Sequence, residues 1–366
     1  MPVLKKITVR DFRNIAFQEL EFSPNVNCIS GNNGEGKTNL LDAVYYLSMT
    51  KSAFGIPEKF NIRHGRDSFA IGGTYSLDTI PEARFAIEVL STGEKKLSRD
   101  GKACKKISSH IGQLPVVMVS PSDISLVSES GEERRRFANA VLSQMDPMYL
   151  SAIQDYNRLL AHRNRLLKEE DPDDDLLSSI DAAMEPSAEK VAASRAAFAE
   201  SLSPAVSSYY SMLSGGKESV LATYCPDLGG KRLTEVFAAR RSRDRALGYT
   251  SAGIHRDDFS FTMDGYPIRR CGSQGQQKSF LVSLKFAQYE IMKKASGYPP
   301  MLLLDDVFDK LDLERISNLV SLVSGNDFGQ IFITDTDRSR LSAIVDRLTE
   351  DRAYFETVGG EFTKTA

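Results

Sequence analysis

Apolar and polar residues alternate over residues 1–30, with the period of two that half-buried strands show. The apolar positions are Leu4, Ile7, Val9, Phe12, Phe17, Leu20, Phe22, Val26, Cys28 and Ile29. They predict two or three short strands. A stretch rich in glycine and asparagine follows, and the next segment, NLLDAVYYLSM, has the apolar spacing of a helix. The predicted order is therefore strand, glycine-rich loop, helix.

Strand-like patterns return between 68 and 119, in FAIGGTYSL, ARFAIEVL, KKISSHIG and LPVVMVS. After this region the pattern becomes helical. Ser130 and Glu133 have the spacing of a capping box, which predicts a helix start, and Asp146 with Pro147 predicts the start of a longer helix. Heptad spacing in the longer helix lasts only about two heptads, which is too short for a long coiled coil.

The acidic run at 169–175 predicts a solvated loop between two helices. A helical pattern follows it, interrupted by Pro186 and Pro204. Strand-like sequence with a hairpin turn at Asp264-Gly265 comes next. The last predicted elements are a helix, the strand MLLLDD, the helix LERISNLVSLV, the strand QIFIT, and a final helix and strand.

These elements predict an α/β protein whose body is built from both ends of the chain, with a mostly helical insertion between them. We expect residues 1–130 and 286–366 to form a first lobe, and residues 131–285 a second. The chain has 366 residues, of which 26% are charged and 41% hydrophobic, and a net charge of −3. This composition excludes a wholly disordered, collagen-like or membrane-embedded chain. It also excludes a uniformly basic surface, but not local basic patches.

The four cysteines, Cys28, Cys104, Cys225 and Cys271, are too widely spaced for a zinc knuckle or a CxxC redox pair. They favour a reduced intracellular protein. The first residues, MPVLKKITVRDF, lack the apolar core of a signal peptide. No apolar run approaches the roughly 20 residues that span a bilayer. We therefore expect a cytoplasmic protein without a membrane partner.

The glycine-rich loop matches the complete phosphate-binding pattern G-x4-G-K-[ST]. Glycines let such a loop curl so that its N–H groups point at phosphate oxygens, and the following helix N-terminus attracts the anion. Lys37 is expected to reach the β- and γ-phosphates, and Thr38 to offer its hydroxyl to Mg²⁺. The expected nucleotide-binding residues are Gly31, Asn32, Asn33, Gly34, Glu35, Gly36, Lys37 and Thr38.

Two carboxylates follow the short apolar strand Met301-Leu-Leu-Leu304. Asp305 at the strand tip suits holding Mg²⁺ through water, beside Thr38. Asp306 suits the polarisation of an attacking water next to the γ-phosphate. An acidic turn without function would give the same local sequence, but the phosphate-binding loop favours the catalytic interpretation.

A third motif, with Ser273, Gly275 and Gln276, precedes a predicted helix. Ser273 could simply cap that helix, but such a helix start is also a phosphate-binding surface. The three motifs together resemble those of ABC-type ATPases, in which these three residues match the signature motif. In that superfamily the signature of one protomer closes on the nucleotide held by another. The resemblance therefore implies a homodimer that forms on ATP.

Within that superfamily, the chain resembles the RecF family of bacterial recombination mediators over its whole length. The resemblance lies in the sequences of the motifs and in the intermediate length of the insertion. The matching segments are ITVRDFRNI, GNNGEGKTNLLDAVYYLS, SPSD, RRRFAN, HRNRLLK, IHRDD, SQGQQKS, LLLDDVFDKLD and QIFITDTD. The resemblance implies ATP and Mg²⁺ as cofactors, a weak ATPase used as a switch, and binding to DNA at single-stranded gaps or junctions. It also implies roles in recombinational repair, recombinase loading, replication restart and the SOS response, with partners of the RecO/RecR type.

The same resemblance implies that Asp309 and Asp312 lie near the dimer interface and that Thr336 faces the γ-phosphate. Gln113 is a candidate magnesium-sensing glutamine, although an ordinary loop glutamine is the favoured interpretation. Two segments depart from the family pattern. Ala53-Phe54-Gly55 stands where the family usually has a basic residue, and Gly253-Ile254 stands where it has Gly-Pro.

Several basic clusters are candidates for a DNA-binding groove, although a solvated face is the default for each. They are Arg10 and Arg13, Lys95 and Lys96, Lys102, Lys105 and Lys106, Arg134 to Arg136, Arg158, Arg163 and Arg165, and Arg240 to Arg245. Three other functions compete with this interpretation, and the sequence disfavours each of them. A transporter ATPase subunit requires a shorter path between the motifs, and an SMC-like structural head requires long heptads. An overcoming-lysogenization-type nuclease requires a further domain for an acidic metal centre, which we do not expect here.

Overall fold

A computed structural model describes residues 1–307, 328–346 and 349–365. The chain divides into two compact units. Unit 1 consists of Met1–Asp123 and Gln288–Ala366, and unit 2 of Ile124–Ala287. The predicted helix LERISNLVSLV and the predicted interface residues Asp309 and Asp312 lie outside the described residues.

The strands of the described residues are numbered in chain order. They are β1 Val3–Phe12, β2 Ile15–Glu21, β3 Val26–Ser30, β4 Ser68–Ser76, β5 Ala83–Leu90, β6 Lys95–Arg99, β7 Lys102–Ala103, β8 Val116–Val119, β9 Val220–Cys225, β10 Asp258–Met263, β11 Tyr266–Pro267, β12 Met301–Leu304, β13 Ile331–Asp335, β14 Arg352–Val358 and β15 Glu361–Lys364. The α-helices of these residues are α1 Lys37–Met49, α2 Ser125–Ser128, α3 Gly131–Met145, α4 Pro147–Leu166, α5 Asp174–Ser214, α6 Leu233–Leu247, α7 Ile268–Cys271, α8 Gln274–Ser296 and α9 Arg338–Val345.

The described strands of unit 1 form two sheets, and helix α1 packs against both. The first is antiparallel, in the order β2-β1-β4-β5-β6-β7. The second has the order β15-β14-β3-β13-β12-β8 and is parallel except for its edge pair β14–β15. Helix α1 contacts β1, β4 and β5 of the first sheet and β8 and β13 of the second. Its residues are therefore buried on nearly all sides.

The central strands of the parallel sheet are buried along their whole length. Every residue of β3, β8, β12 and β13 is buried. Burial along the whole length is typical of parallel strands that are covered on both faces. Parallel strands end at the same edge of the sheet, so the residues that follow β3 and β12 lie near each other.

Unit 2 combines helices with a small antiparallel sheet, in the order β11-β10-β9. Helix α5 packs against α4, α6 and β9. Buried ion pairs join these elements. Arg163 binds Asp181 and Asp244, and Arg195 binds Asp257, at 2.7–2.8 Å. All five side chains are at most 4% exposed.

The prediction that prolines interrupt the helix after the acidic loop is wrong. Helix α5 runs without a break through Pro186 and Pro204. Both prolines are exposed, whereas Leu202, Val206 and Tyr210 on the opposite face are buried. Each internal proline costs about 3 kcal/mol. Packing of the buried face outweighs this cost because helix stability in proteins comes mainly from tertiary contacts.

The strand predicted at KKISSHIG is also wrong. Residues Ile107–His110 form a 3₁₀ turn, and the strands lie earlier, as β6 and β7. Asp100 and Gly101, with φ of 50° and 75°, form the turn between them. Such a turn between two strands is typical of an Asp-Gly pair. Asp264 and Gly265 join β10 to β11 in the same way, as predicted.

The predicted helix starts are correct in position, but one cap differs in detail. Helix α3 begins after Ser130, whose side chain makes no capping hydrogen bond. The side chain of Asp146 accepts a hydrogen bond from the Met148 N–H at the start of α4. The acidic run lies mostly between α4 and α5, and Asp173 caps α5.

Candidate functional site

The glycine-rich loop connects the end of β3 at Ser30 to the start of α1 at Lys37. Two of its glycines pack closely against other segments. At Gly36, with φ of 109°, a Cβ would lie 2.9 Å from the Asn14 side chain. At Gly31 a Cβ would lie 2.6 Å from the Thr357 carbonyl oxygen. Larger residues at these two positions would displace the loop.

The loop is also held by the turn after β14. The Glu35 carbonyl oxygen accepts hydrogen bonds from the Gly360 N–H at 2.9 Å and from the Thr357 hydroxyl at 3.0 Å. The Glu35 carboxylate accepts a further bond from the Gly359 N–H. Residues at opposite ends of the chain therefore fix the loop together.

Lys37 points back over the loop that precedes it. Its Nζ donates hydrogen bonds to the carbonyl oxygens of Gly31, at 2.7 Å, and Asn32, at 3.2 Å. The same Nζ lies 4.0 Å from Asp306 Oδ2. The side chain is only 3% exposed, so the ammonium group is held between the loop and the aspartate pair.

Thr38 and Asp305 meet where β3 and β12 end. The Thr38 hydroxyl lies 3.0 Å and 2.9 Å from the two carboxylate oxygens of Asp305. Asp305 is 3% exposed, and burial raises the pKa of its carboxyl group. Hydrogen bonds from Thr334 and Thr38 act in the opposite direction, since they stabilise the charged form.

Asp306 is more accessible than its neighbour, with a side chain that is 24% exposed. Its φ is 43°, a left-handed conformation that is uncommon for residues other than glycine. Its N–H donates to the Thr334 hydroxyl at 3.0 Å. The two adjacent carboxylates therefore have different surroundings, one buried and bonded to threonines, the other facing the Lys37 ammonium.

Thr38 and Asp305 fit a magnesium ion. Mg²⁺ prefers oxygen ligands and usually keeps several of its waters. The Thr38 hydroxyl and the Asp305 carboxylate lie side by side, hydrogen-bonded to each other, next to the phosphate-binding loop. The hydroxyl and the carboxylate are both hard ligands of the kind that Mg²⁺ prefers.

Ser273, Gly275 and Gln276 lie at the start of α8 in unit 2. The Ser273 N–H donates to Gln276 Oε1 at 2.7 Å, and the Gln276 N–H donates to the Ser273 hydroxyl at 3.3 Å. This is a capping box, so the capping role considered for Ser273 is present. Gln276 Nε2 also donates to Glu218 at 2.8 Å. Ser273 is exposed.

Two further candidates occupy ordinary surface positions. The exposed Gln113 accepts a hydrogen bond from Arg99 at 3.1 Å and donates to the Ser109 carbonyl at 2.8 Å. Thr336 is exposed directly after β13. The residue before it, Asp335, is buried and forms an ion pair with Arg340 at 2.5 Å.

A hydrogen-bond network around Arg13 was not predicted from the sequence. Its guanidinium donates to Asn39 Oδ1 at 2.9 Å, to the Ser52 hydroxyl at 3.0 Å and to the buried carboxylate of Asp42. Asn39 in turn donates to Asn14 at 2.7 Å, beside Gly36. Asp42 within an otherwise apolar helix pattern was the signal for it, because a buried carboxylate requires a partner.

Several arginines from the predicted basic clusters are committed to internal contacts. Arg13 is 13% exposed, Arg134 is 6% exposed and bound to Asp258, and Arg163 is fully buried. These three side chains stabilise the fold and are not placed to contact DNA phosphates. In contrast, Lys102, Lys105 and Lys106 are exposed.

The family model described as the RecF/RecN/SMC N terminal domain matches residues 3–58. The DNA replication and repair protein RecF of Bacteroides fragilis is 42% identical over 360 residues, which make up 98% of this chain and 97% of that protein. The chain belongs to the RecF family. RecF of Flavobacterium johnsoniae, also named a DNA replication and repair protein, is 41% identical over 347 residues, 93% of this chain and 96% of that one. The predicted family is thus confirmed.

Solved structures agree with this assignment. The structure of the recombination mediator protein RecF-ATP in the RecFOR pathway has 30% identity and a TM-score of 0.91, covering 100% of this chain and 98% of that one. An Smc head domain from Pyrococcus furiosus, with 15% identity and a TM-score of 0.58, shares the fold alone, covering 100% of this chain and 96% of that one. The fold is that of an ABC/SMC-like ATPase head, as predicted. No helix of the described residues has both the length and the hydropathy to cross a bilayer.

Proposed function

We propose that this RecF-family chain is an ATP-dependent DNA-binding protein of recombinational repair. It would dimerise on ATP, hold DNA at single-stranded gaps or junctions, and help to load recombinase in the cytoplasm. Proteins of the RecO/RecR type would be its partners. The observation that supports the proposal best is the arrangement of Lys37, Thr38, Asp305 and Asp306 at one edge of the parallel sheet.

In the proposed site, residues 31–38 hold the triphosphate of ATP. The loop N–H groups and the start of α1 bind phosphate oxygens, and Lys37 moves from the loop carbonyls to the β- and γ-phosphates. Thr38 through its hydroxyl, and Asp305 through a water molecule, would hold Mg²⁺, which would neutralise charge on the phosphates.

Asp306 is the proposed activator of the attacking water. Its carboxylate is partly exposed and close to the Lys37 ammonium, so it lies next to the expected position of the γ-phosphate. Fast ABC ATPases commonly have glutamate here, and aspartate is one methylene shorter. A shorter side chain positions water less well, and a misplacement of about 1 Å can cost on the order of 100-fold in rate. We therefore expect weak hydrolysis that acts as a switch.

The lobes have separate roles in this proposal. Unit 1 corresponds to the ATPase lobe with the phosphate-binding loop and the aspartate pair, and unit 2 to the lobe with the signature motif. Ser273, Gly275 and Gln276 of one protomer would contact the ATP held by its partner. Ser273 is exposed at the start of α8, so a phosphate that approaches this helix start could take the place of its capping hydroxyl.

The replacement Lys37→Ala tests this site. We expect tight ATP binding to be lost while the fold is kept, because the Lys37 ammonium contacts loop carbonyls and not the apolar core. Calorimetric titration with Mg²⁺-ATP measures affinity, and circular dichroism monitors the fold. Lys102→Ala, an exposed lysine on the edge strand β7, is the matched control. Equal affinity in Lys37→Ala and wild type would refute the assignment of the phosphate-binding loop.

Sedimentation on gapped DNA tests the remainder of the proposal. Wild type should form a dimer on gapped duplex only with Mg²⁺-ATP, and Lys37→Ala should stay monomeric. A protein that binds ATP but sediments as a monomer under all conditions would show that ATP does not join two protomers.

A further inference from the structure

One buried hydroxyl contacts both residues of the aspartate pair. The Thr334 side chain is 0% exposed and lies near the end of β13. Its hydroxyl donates to Asp305 Oδ1 at 2.8 Å and accepts the Asp306 N–H at 3.0 Å. A hydroxyl has one proton to donate and two lone pairs to accept with. The Thr334 hydroxyl therefore donates its proton to the Asp305 carboxylate and accepts the Asp306 N–H with a lone pair.

The sheet register brings these groups together. Strands β12 and β13 are parallel, with Leu304 beside Ile333, so the next residues, Asp305 and Thr334, are neighbours across the two strands. The position of Thr334 is therefore fixed by two strands whose residues are all buried. A side chain with rigid surroundings can define the orientation of its partners to a fraction of an ångström.

The contact with Thr334 stabilises the unusual backbone conformation of Asp306. Its backbone lies in the left-handed region, at φ of 43°, which costs free energy for a residue with a Cβ. Such a conformation persists only where neighbouring groups hold it. The hydrogen bond from the Asp306 N–H to Thr334 fixes the peptide that leads into this conformation, and so the direction of the carboxylate.

We propose that Thr334 is a positioning residue, which orients Asp305 for Mg²⁺ and Asp306 for the attacking water. This inference rests on the ATPase function proposed above. Thr334 itself would touch neither nucleotide nor water. Its hydroxyl should matter much more than its methyl group, because both contacts to the aspartate pair are made by the oxygen.

Two substitutions distinguish the contribution of the Thr334 hydroxyl from that of side-chain packing. Thr334→Val keeps the shape and removes the oxygen, whereas Thr334→Ser keeps the oxygen and removes the methyl group. Ile333→Val is the control, since it removes one methylene-sized group from the adjacent buried position in β13 without a polar contact. All three proteins are measured in full length beside wild type.

We expect Thr334→Val to lower the kcat for ATP hydrolysis by about tenfold or more, since loose positioning acts on the chemical step. Its affinity for ATP in EDTA should equal that of wild type, while the gain in affinity on adding Mg²⁺ should shrink. Thr334→Ser and Ile333→Val should stay within about threefold of wild type in every measurement. Calorimetry with and without Mg²⁺ provides the readout that is independent of turnover.

Three results would overturn the inference. They are an unchanged kcat in Thr334→Val, an equal loss in Thr334→Ser, or a loss of ATP affinity in EDTA, which would indicate general disruption of the site. If Thr334→Val fails to fold, Thr334→Ala compared with Thr334→Ser makes the same distinction. Absence of ATP binding by wild type would instead refute the proposed function.

Discussion

Asp305 and Asp306 are adjacent in sequence but have different chemical surroundings. Asp305 is buried, and its carboxylate accepts hydrogen bonds from the Thr38 and Thr334 hydroxyls. Asp306 is partly exposed and lies 4.0 Å from the Lys37 ammonium. A buried carboxylate held by two hydroxyl donors suits a fixed ligand, whereas an accessible one suits proton transfer. The two residues should therefore fail in different ways when replaced.

Replacement of Asp306 by Asn should separate binding from hydrolysis. Asp306→Asn removes the proton-accepting charge and keeps the shape, so we expect ATP binding and dimerisation to persist while hydrolysis falls by about 100-fold or more. Asp305→Asn should instead weaken the binding of Mg²⁺-ATP. Single-turnover hydrolysis at saturating Mg²⁺-ATP, together with the dimer lifetime, measures both. Undiminished hydrolysis in Asp306→Asn would show that another group activates the water.

The positions of candidate site residues could be predicted where they depend on local sequence. The loop with Lys37 and Thr38, and the aspartates after β12, follow from short motifs and from the rule that parallel strands end at one edge. The contacts of Thr334, Arg13 and Glu35 could not be predicted, because their partners lie between 26 and 324 residues away in the chain. Only the folded structure shows which of these residues meet.

At the scale of elements, the same groups at the start of α8 cap the helix and, in the proposal, contact a partner's ATP. Ser273 and Gln276 form a capping box, which stabilises the helix start by about 1 kcal/mol. The proposed contact with a partner's ATP would use the same hydroxyl and the same N–H groups. A phosphate at this helix start can replace the cap, because its oxygens accept the hydrogen bonds that the Ser273 hydroxyl accepts.

Replacement of Ser273 by Arg should therefore prevent dimerisation while leaving ATP binding to one protomer intact. The long side chain obstructs the surface that the partner's nucleotide must approach, whereas the phosphate-binding loop is unaffected. Light scattering with Mg²⁺-ATP measures dimerisation, and calorimetry measures binding. Ser260→Arg, at an exposed position of β10, is the matched control. Dimers of Ser273→Arg as stable as those of wild type would rule out this part of the interface.

Element boundaries were predictable where local chemistry and packing agree. Asp146 and Pro147 start α4, and Asp264-Gly265 joins β10 to β11. Local chemistry was misleading in α5, since Pro186 and Pro204 lie on its exposed face and the opposite face holds the helix together. The periodicity of a buried face, followed through each proline, would have predicted the continuous helix.

At the scale of the whole molecule, the sign of the net charge says little about DNA binding. The chain has a net charge of −3, yet Arg13, Arg163 and Arg195 neutralise buried carboxylates. The charges left for a phosphate backbone are exposed side chains such as Lys102, Lys105 and Lys106. Exposed lysines give contacts that depend on salt and are largely independent of base sequence.

DNA affinity should accordingly fall steeply with salt and vary little with base composition. Each phosphate contact contributes a slope of about −0.9 in log affinity against log salt on duplex DNA, so several contacts should give about −3 or steeper. Fluorescence anisotropy with gapped DNA of two unrelated sequences, between low and physiological ionic strength, measures both quantities. A flat salt dependence would argue against phosphate contacts as the source of affinity.

The order of strands in the parallel sheet has a consequence for synthesis on the ribosome. Strand β3 lies between β13 and β14, which follow it by roughly 300 residues. At a translation rate of about 5–20 residues per second, the two neighbouring strands are synthesised about 15–60 s after β3. During that time all of unit 2 is made, and its strands and helices pair among themselves. The nascent chain therefore completes its nucleotide-binding loop last, when the turn after β14 reaches Glu35.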